Sequence, residues 1–208
     1  MEYVLVFFSY LIGSIPFGLL FGKFTGVDVR SAGSGNIGAT NVNRLLGRKM
    51  GLLTLLADSL KAVMPMILVN WILHDHADGN FWVVIAGGAA FLGHLYPIYL
   101  KFKGGKGVAT ALGVFLYLAP VSVLIAAATF GLVVSGSGYV SLGSLSAAAL
   151  LPVILWGMGE PRAYIWLAVL VGALIWIKHG ENIGRLLRHE ENSMKNKKRF
   201  PNDAAKQS

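Results

Sequence analysis

Long apolar blocks alternate with short polar connections along this chain, and within the blocks the apolar residues follow neither a strand-like alternation nor an amphipathic stripe. The blocks cover 3–22, 51–73, 81–100, 107–134, 138–157 and 163–177. Several reach or approach the roughly 20 apolar residues that a transmembrane helix needs. Backbone facing lipid must satisfy its hydrogen bonds internally, so the pattern predicts an all-α integral membrane protein. Block 107–134 is too long for one span at 28 residues, and Pro120 divides it. Proline removes a backbone donor, which predicts two short helices of about 13 residues each. The first block has no basic residue before it and no small-residue cleavage site, so it is expected to be a span, not a cleaved signal.

Charge orients these blocks. Loops 23–49 and 101–106 and the region from 178 onward hold 16 of the 18 lysines and arginines, whereas the connections HDHADGN and MGEPR are neutral or acidic. Basic segments stay cytoplasmic, which puts Met1 outside and the C-terminus inside. An even number of crossings must then separate loop 101–106 from the C-terminal region, although three blocks are visible there. Seven transmembrane helical segments, two of them short around Pro120, meet that parity; five full spans plus a re-entrant hairpin also meet it. Residues 1–190 form a single polytopic membrane domain in this reading, and 191–208 a cytoplasmic basic tail expected to be mobile.

Composition agrees with the pattern: 55% of the 208 residues are apolar and 13% charged, against about 45–50% and about 25% for globular chains. The net charge of +8 follows membrane topology, so it does not indicate nucleic-acid binding. The absence of cysteine excludes disulfides and thiol chemistry.

Three unusual polar stretches fall on the basic side. The first is RSAGSGNIGATNVNR, Arg30 to Arg44. Gly33, Gly35, Gly38 and Ala39 leave the backbone bare, while Ser31, Ser34, Asn36, Thr40, Asn41 and Asn43 supply donors, so successive amides can converge on an anion. Residues 33–38 spell G-x-G-x-x-G, but the dinucleotide fingerprint requires a preceding strand and a βαβ unit, and here apolar spans flank it. The second stretch is KFKGGKGVAT, with Lys101, Lys103, Gly104, Gly105, Lys106, Gly107 and Thr110. It lacks the Walker A spacing, yet a helix opening at Gly107 would aim free amides at whatever Lys106 attracts. The third, KHGENIGRLLRH, sets His179, Asn182 and Arg185 three residues apart, on one helical face. Asp58 and Lys61, also three apart inside a span, are expected to pair in support of the site, with His94 of GHLYP nearby. His74 and His76 belong to the opposite face.

These loops gather cationic groups beside an apolar bundle, which suits a substrate with a phosphate and an alkyl chain. A transporter of a phosphorylated small solute is the rival reading, and it predicts polar residues continuing to the outer face.

The order SAGSGNIGATN, GHLYP, KFKGGKGVAT, KHGENIGRLL resembles the bacterial acyl-phosphate:glycerol-3-phosphate acyltransferase (PlsY) family, from Tyr3 to Arg188. The resemblance implies a seven-helix enzyme of the bacterial cytoplasmic (inner) membrane with its site facing the cytoplasm. It implies acyl transfer from acyl-phosphate to the 1-hydroxyl of glycerol 3-phosphate, giving lysophosphatidic acid, the first step of phospholipid biosynthesis. No cofactor or metal is implied. Carried over by motif, Ser34, Arg44, Lys106, His179 and Asn182 are the catalytic core. Gly33, Gly35, Asn36, Thr40 and Asn41, then Lys103, Gly104, Gly105, Gly107 and Thr110, and finally Arg185 bind substrate phosphate. Either His179 or a substrate phosphate oxygen takes the proton from the attacking hydroxyl. One departure is Ala62, where the family pattern D-x-x-K-G leads one to expect glycine.

Overall fold

The computed structural model describes residues 1–195, and every regular element among them is helical. Helix α1 (Glu2–Gly13) and α2 (Phe17–Phe24) form one interrupted stretch, broken at Pro16; the short α3 (Ala39–Leu46) leads into the long α4 (Arg48–Leu73). Helix α5 (Gly79–Leu95) runs into a single 3₁₀ turn, Ile98–Leu100, and α6 (Val108–Leu118), α7 (Pro120–Ser137), α8 (Val140–Gly157), α9 (Arg162–Lys178) and α10 (Gly180–Leu187) follow. Five stretches are long and apolar enough to cross a membrane: Glu2–Phe24, Arg48–Leu73, Gly79–Leu100, Pro120–Ser137 and Val140–Gly157. Helices α9 and α10, bent by 59° at His179, make a sixth if taken as one span.

Pro120 does end one helix and begin another, at Ala119, whose φ of −147° leaves the helical region. The halves are unequal, which corrects the expected pair of short helices. Only α6 is short, at 11 residues, and α7 runs for 18 because nothing interrupts it before Gly138 takes a left-handed cap (φ 84°).

The interior and the outer surface are both apolar, as lipid immersion demands. Met66, Leu73, Phe91, Leu95, Val114, Phe115 and Leu155 are buried, while Leu124, Leu132, Trp156 and Trp166 stand exposed. With no water-driven collapse inside lipid, close backbone approach at small residues holds such helices together. A Cβ on Gly93 would lie 2.8 Å from the Ser14 amide nitrogen, and one on Gly113 would lie 2.8 Å from the Ser59 carbonyl carbon. Helix α5 thus seats against the end of α1, and α6 against α4, where Ser59 Oγ donates to Ala109 O at 2.8 Å.

One polar hub ties three of these elements. Lys61 Nζ reaches Asp58 Oδ1 at 2.7 Å, Ile15 O at 2.8 Å and His94 Nδ1 at 2.9 Å. Two of these contacts are hydrogen bonds and the third is an ion pair with the buried Asp58 carboxylate, and one acceptor is a carbonyl at the break before Pro16. Helix packing and hub together fix where the loops on one face of the bundle meet.

Gly93→Ala is therefore expected to destabilise the protein by about 1–3 kcal/mol, because backbone atoms cannot move aside. Gly131→Ala, where nothing lies within 4 Å, is expected to be neutral or slightly stabilising. Thermal unfolding of both variants in one detergent checks this.

Candidate active site

The first loop is organised from within. Asn41 is 1% exposed; its Oδ1 accepts from the Ser34 amide at 2.8 Å, and its Nδ2 donates to Val29 O at 2.9 Å and Ala32 O at 3.2 Å. Those bonds wrap the chain through Gly33 (φ 64°) and Gly35 (φ 69°), left-handed positions that suit glycine. Asn36 Oδ1 accepts from the Gly38 amide at 2.8 Å, just before α3 begins. Both asparagines shape the loop with the groups that were expected to hold phosphate. Gly33, Ser34, Asn36, Thr40, Asn41 and Arg44 all line the cavity described below.

The second loop is divided in the same manner. Gly104 N donates to Leu95 O at 3.2 Å and Gly105 N to His94 O at 3.1 Å, so these amides are engaged and form no anion nest. Their missing side chains let the loop lie directly over His94 and Leu95. Lys103 is exposed, and its carbonyl accepts from Arg30 Nη2 at 3.2 Å, which joins the two loops outside the cavity. Thr110 is fully buried with no partner for its hydroxyl and does not line the cavity. Lys106 and the start of α6 at Gly107, Val108 and Ala109 do. The first amides of α3 and α6 have no intrahelical acceptor, so two helix N-termini meet the same space.

The third cluster forms at the corner between α9 and α10. His179 is 3% exposed, and its Nδ1 lies 2.8 Å from Ile175 O. A carbonyl can only accept, so Nδ1 carries the proton and Nε2 is left as an acceptor. Burial, reinforced by Lys106 and partly opposed by the Ile175 hydrogen bond, pushes His179 down to about 4, so the ring is neutral near pH 7. Asn182 Oδ1 accepts from Lys106 Nζ, and Asn182 Nδ2 donates to Glu191 Oε1 at 2.7 Å.

Glu191 is the residue that motif reading passes over. Ser141 Oγ also donates to its Oε1, at 2.9 Å, and Arg185 Nε to its Oε2, at 2.7 Å. Burial works against the carboxylate, but the hydrogen bonds from Arg185, Asn182 and Ser141 prevail and hold it below the usual range. Arg185, expected on phosphate, instead holds Glu191 from outside the cavity lining, with Glu181 3.8 Å from its Nη1. The run HEEN (189–192) in a basic region was the available signal. The rest of the expected tail, from residue 196, lies outside the described residues.

All three clusters open into one cavity of about 2180 Å³. Ser34, Arg44, Lys106, His179, Asn182 and Glu191 line its polar end; between α7, α8 and α9 it continues over Ala126, Phe130, Ala148, Leu151 and Val171. Asp58 and His94 reach it from the Lys61 hub, while Lys61 stays behind them. Gly35 lies outside, in an adjoining groove with Ser34, Asn36 and Gly180. Burial and the neighbouring Arg185 push Lys106 down to about 8. Burial likewise lowers Arg44, with Glu191 opposing and Arg185 adding. An excess of confined positive charge faces a hydrocarbon-lined groove.

Such a bundle and cavity define an integral membrane protein with the chemistry to hold an anionic amphiphile. The family model described as glycerol-3-phosphate acyltransferase matches residues 3–189. Glycerol-3-phosphate acyltransferases of Desulfotalea psychrophila and Trichlorobacter lovleyi are 50% and 51% identical, over 95% and 90% of this chain and 100% and 94% of their own. The crystal structure of PlsY, an integral membrane glycerol 3-phosphate acyltransferase, in its glycerol 3-phosphate form superposes with a TM-score of 0.86 at 38% identity, covering 100% of this chain and 99% of that one. Its lysophosphatidic acid form gives 0.84 at 40% identity, covering 92% and 94%. The chain belongs to the glycerol-3-phosphate acyltransferase family. It is an acyltransferase, which sets the transporter reading aside.

A lysine held near 8 is charged below that pH and neutral above it. Inorganic phosphate should accordingly raise Tm at pH 7 and lose that effect as pH rises through about 8. Lys106→Arg should preserve the effect to higher pH, since a guanidinium stays charged. Thermal shift across a pH series measures both.

Proposed function

We propose that the protein transfers an acyl group from acyl-phosphate to the 1-hydroxyl of glycerol 3-phosphate, releasing phosphate and 1-acylglycerol 3-phosphate. One observation carries this: a single cavity joins a cationic end supplied by two helix N-termini to an apolar groove. From Ser141 to Leu151 the groove follows α8 for roughly 15 Å, at 1.5 Å per residue, room for much of a fatty chain. The glycerol 3-phosphate and lysophosphatidic acid forms of PlsY support the acceptor and product.

In this reading Arg44, Lys106 and the first amides of α3 and α6 bind the two phosphates. Ser34 donates to a phosphate or carbonyl oxygen, and Asn182, through its bond with Lys106, fixes the ammonium. His179 Nε2 accepts a hydrogen bond from the 2-hydroxyl of glycerol 3-phosphate and so orients the 1-hydroxyl, whose own proton stays free to reach a phosphate oxygen. The hydroxyl oxygen attacks the acyl carbon; as the tetrahedral intermediate collapses, the bond from carbon to the phosphate oxygen breaks and its electron pair leaves with phosphate. Acyl-phosphate is a mixed anhydride with a good leaving group, so positioning and charge stabilisation supply most of the catalysis. A histidine held near 4 is a weak proton sink, and the hydroxyl proton passes to a phosphate oxygen. Transfer is direct, with both substrates bound together.

We place seven segments across the bacterial cytoplasmic membrane, N-terminus outside and C-terminus inside, with α6 as a thin crossing. The tie of Met194 N to Gly138 O at 2.8 Å supports this, since it holds the turn between α7 and α8 on the same face as the C-terminal segment.

Purified protein given glycerol 3-phosphate and palmitoyl-phosphate should form lysophosphatidic acid, and palmitoyl-CoA should not substitute. Absence of product with folded protein would refute the assignment. His179→Gln should lower kcat about tenfold with its pH profile unchanged, less than the about 10²–10⁴-fold loss expected of a general base.

A further inference from the structure

We infer that Glu191 is a positioning residue of the acyl-transfer site: its carboxylate fixes the Asn182 amide and sustains the charge of Lys106. This inference rests on the acyl-transfer reading above.

The argument begins with the orientation of an amide. Asn182 sits between a cation that can only donate, Lys106 Nζ, and a carboxylate that can only accept. One orientation satisfies both sides, with Oδ1 toward Lys106 and Nδ2 toward Glu191. Without the carboxylate the amide is free to turn, and turning would set an N–H against the ammonium. Glu191 is itself over-determined: Ser141 and Asn182 donate to Oε1, and Arg185 donates to Oε2. Its side chain is 3% exposed, so the bonds from Ser141 and Asn182 form away from water, where a charged hydrogen bond is strongest, and that from Arg185 is partly buried.

Electrostatics supply a second, independent strand. The charged and titratable groups around Lys106 are Arg44 from α3, His179 at the corner, Glu181 and Arg185 from α10, and Glu191. Of the two carboxylates, Glu181 is exposed and Glu191 is buried. Buried charge is screened least, so Glu191 does most to keep Lys106 protonated among two arginines.

Geometry also explains how a residue so late in the chain reaches the site. His189, Glu191, Ser193 and Met194 line the cavity as the segment crosses from α10 to the turn between α7 and α8. There Met194 N donates to Gly138 O at 2.8 Å. The segment borders the polar end, and Glu191 is its buried side chain there.

The test separates charge from reach. Glu191→Gln keeps the length but removes the charge and opposes an N–H to Arg185. It should lower kcat/KM about 10–100-fold, the scale of a lost charged hydrogen bond. It should also move the pH midpoint of inorganic-phosphate stabilisation below that of the wild type, by about half a unit or more. Glu191→Asp keeps the charge but cannot span Asn182 and Arg185; the midpoint should stay near about 8 while kcat/KM falls about tenfold. A merely structural role would lower Tm in both variants without moving the midpoint in either. Glu191→Gln with kcat/KM within twofold of wild type and an unmoved midpoint would overturn the inference. Should that variant fail to fold, Glu191→Asp decides, and wild-type kcat/KM would overturn it. A wild type that stabilises with phosphate yet transfers no acyl group refutes the reaction and leaves the midpoint shift as the measure of Glu191.

Discussion

Excess positive charge held where water is scarce is the constraint from which the rest of this structure follows. Arg44, Lys106 and Arg185 converge at the end of an apolar bundle, together with the N-termini of α3 and α6. Burial makes such a gathering costly unless each charge has a partner. The chain supplies part of the balance through Glu191 and leaves part unmet; burial first, and then Arg185, displaces Lys106 to about 8. An anion entering the cavity completes the balance. In the proposed reaction that anion is a substrate phosphate, and Glu191, from the end of the described chain, supplies the carboxylate that balances part of the charge.

The bundle serves that charge cluster in two ways. Close contacts at Gly93 and Gly113, with the Lys61 hub behind them, hold α1, α4, α5 and α6 in fixed relation, so the loops over them have defined positions. Helix α8 packs closely on α7 at Gly143 and on α9 at Gly172, and the three helices border the groove of Ala126, Phe130, Ala148 and Leu151. Rigid packing on one side and open apolar space on the other put a cationic pocket and a hydrocarbon slot end to end. That juxtaposition suits the transfer proposed above, in which an anhydride and an alcohol, both carrying phosphate, react without a covalent intermediate on the protein.

The architecture was legible because lipid immersion writes it as uninterrupted apolar runs. Pro120 marks a true break, but proline fixes where a helix starts and says nothing about where it stops; Gly138 does that. Within the site, Ser34, Arg44, Lys106, His179 and Asn182 were found from their motifs and share one cavity. Motif spelling could not tell a residue whose polar groups are free in the cavity from one that spends them on the loop. Asn41, Gly104 and Gly105 spend their polar groups on the backbone, and Lys103 and Thr110 lie off the cavity. Arg185, expected on phosphate, pairs with Glu191, for which no role was expected, because their pairing depends on a turn after α10 that leaves no periodic trace. The groove was equally silent, being made of small and apolar residues that a membrane helix carries on every face.

Direct transfer between two bound substrates is the central claim, and isotope exchange tests it most directly. Purified protein is incubated with palmitoyl-phosphate and ³²P-labelled phosphate, without glycerol 3-phosphate. An acyl-enzyme would return its acyl group to labelled phosphate, whereas direct transfer has no route for exchange. The account predicts no label in palmitoyl-phosphate until acceptor is present, from a preparation that makes lysophosphatidic acid when acceptor is added. Label entering palmitoyl-phosphate in the absence of acceptor would contradict it.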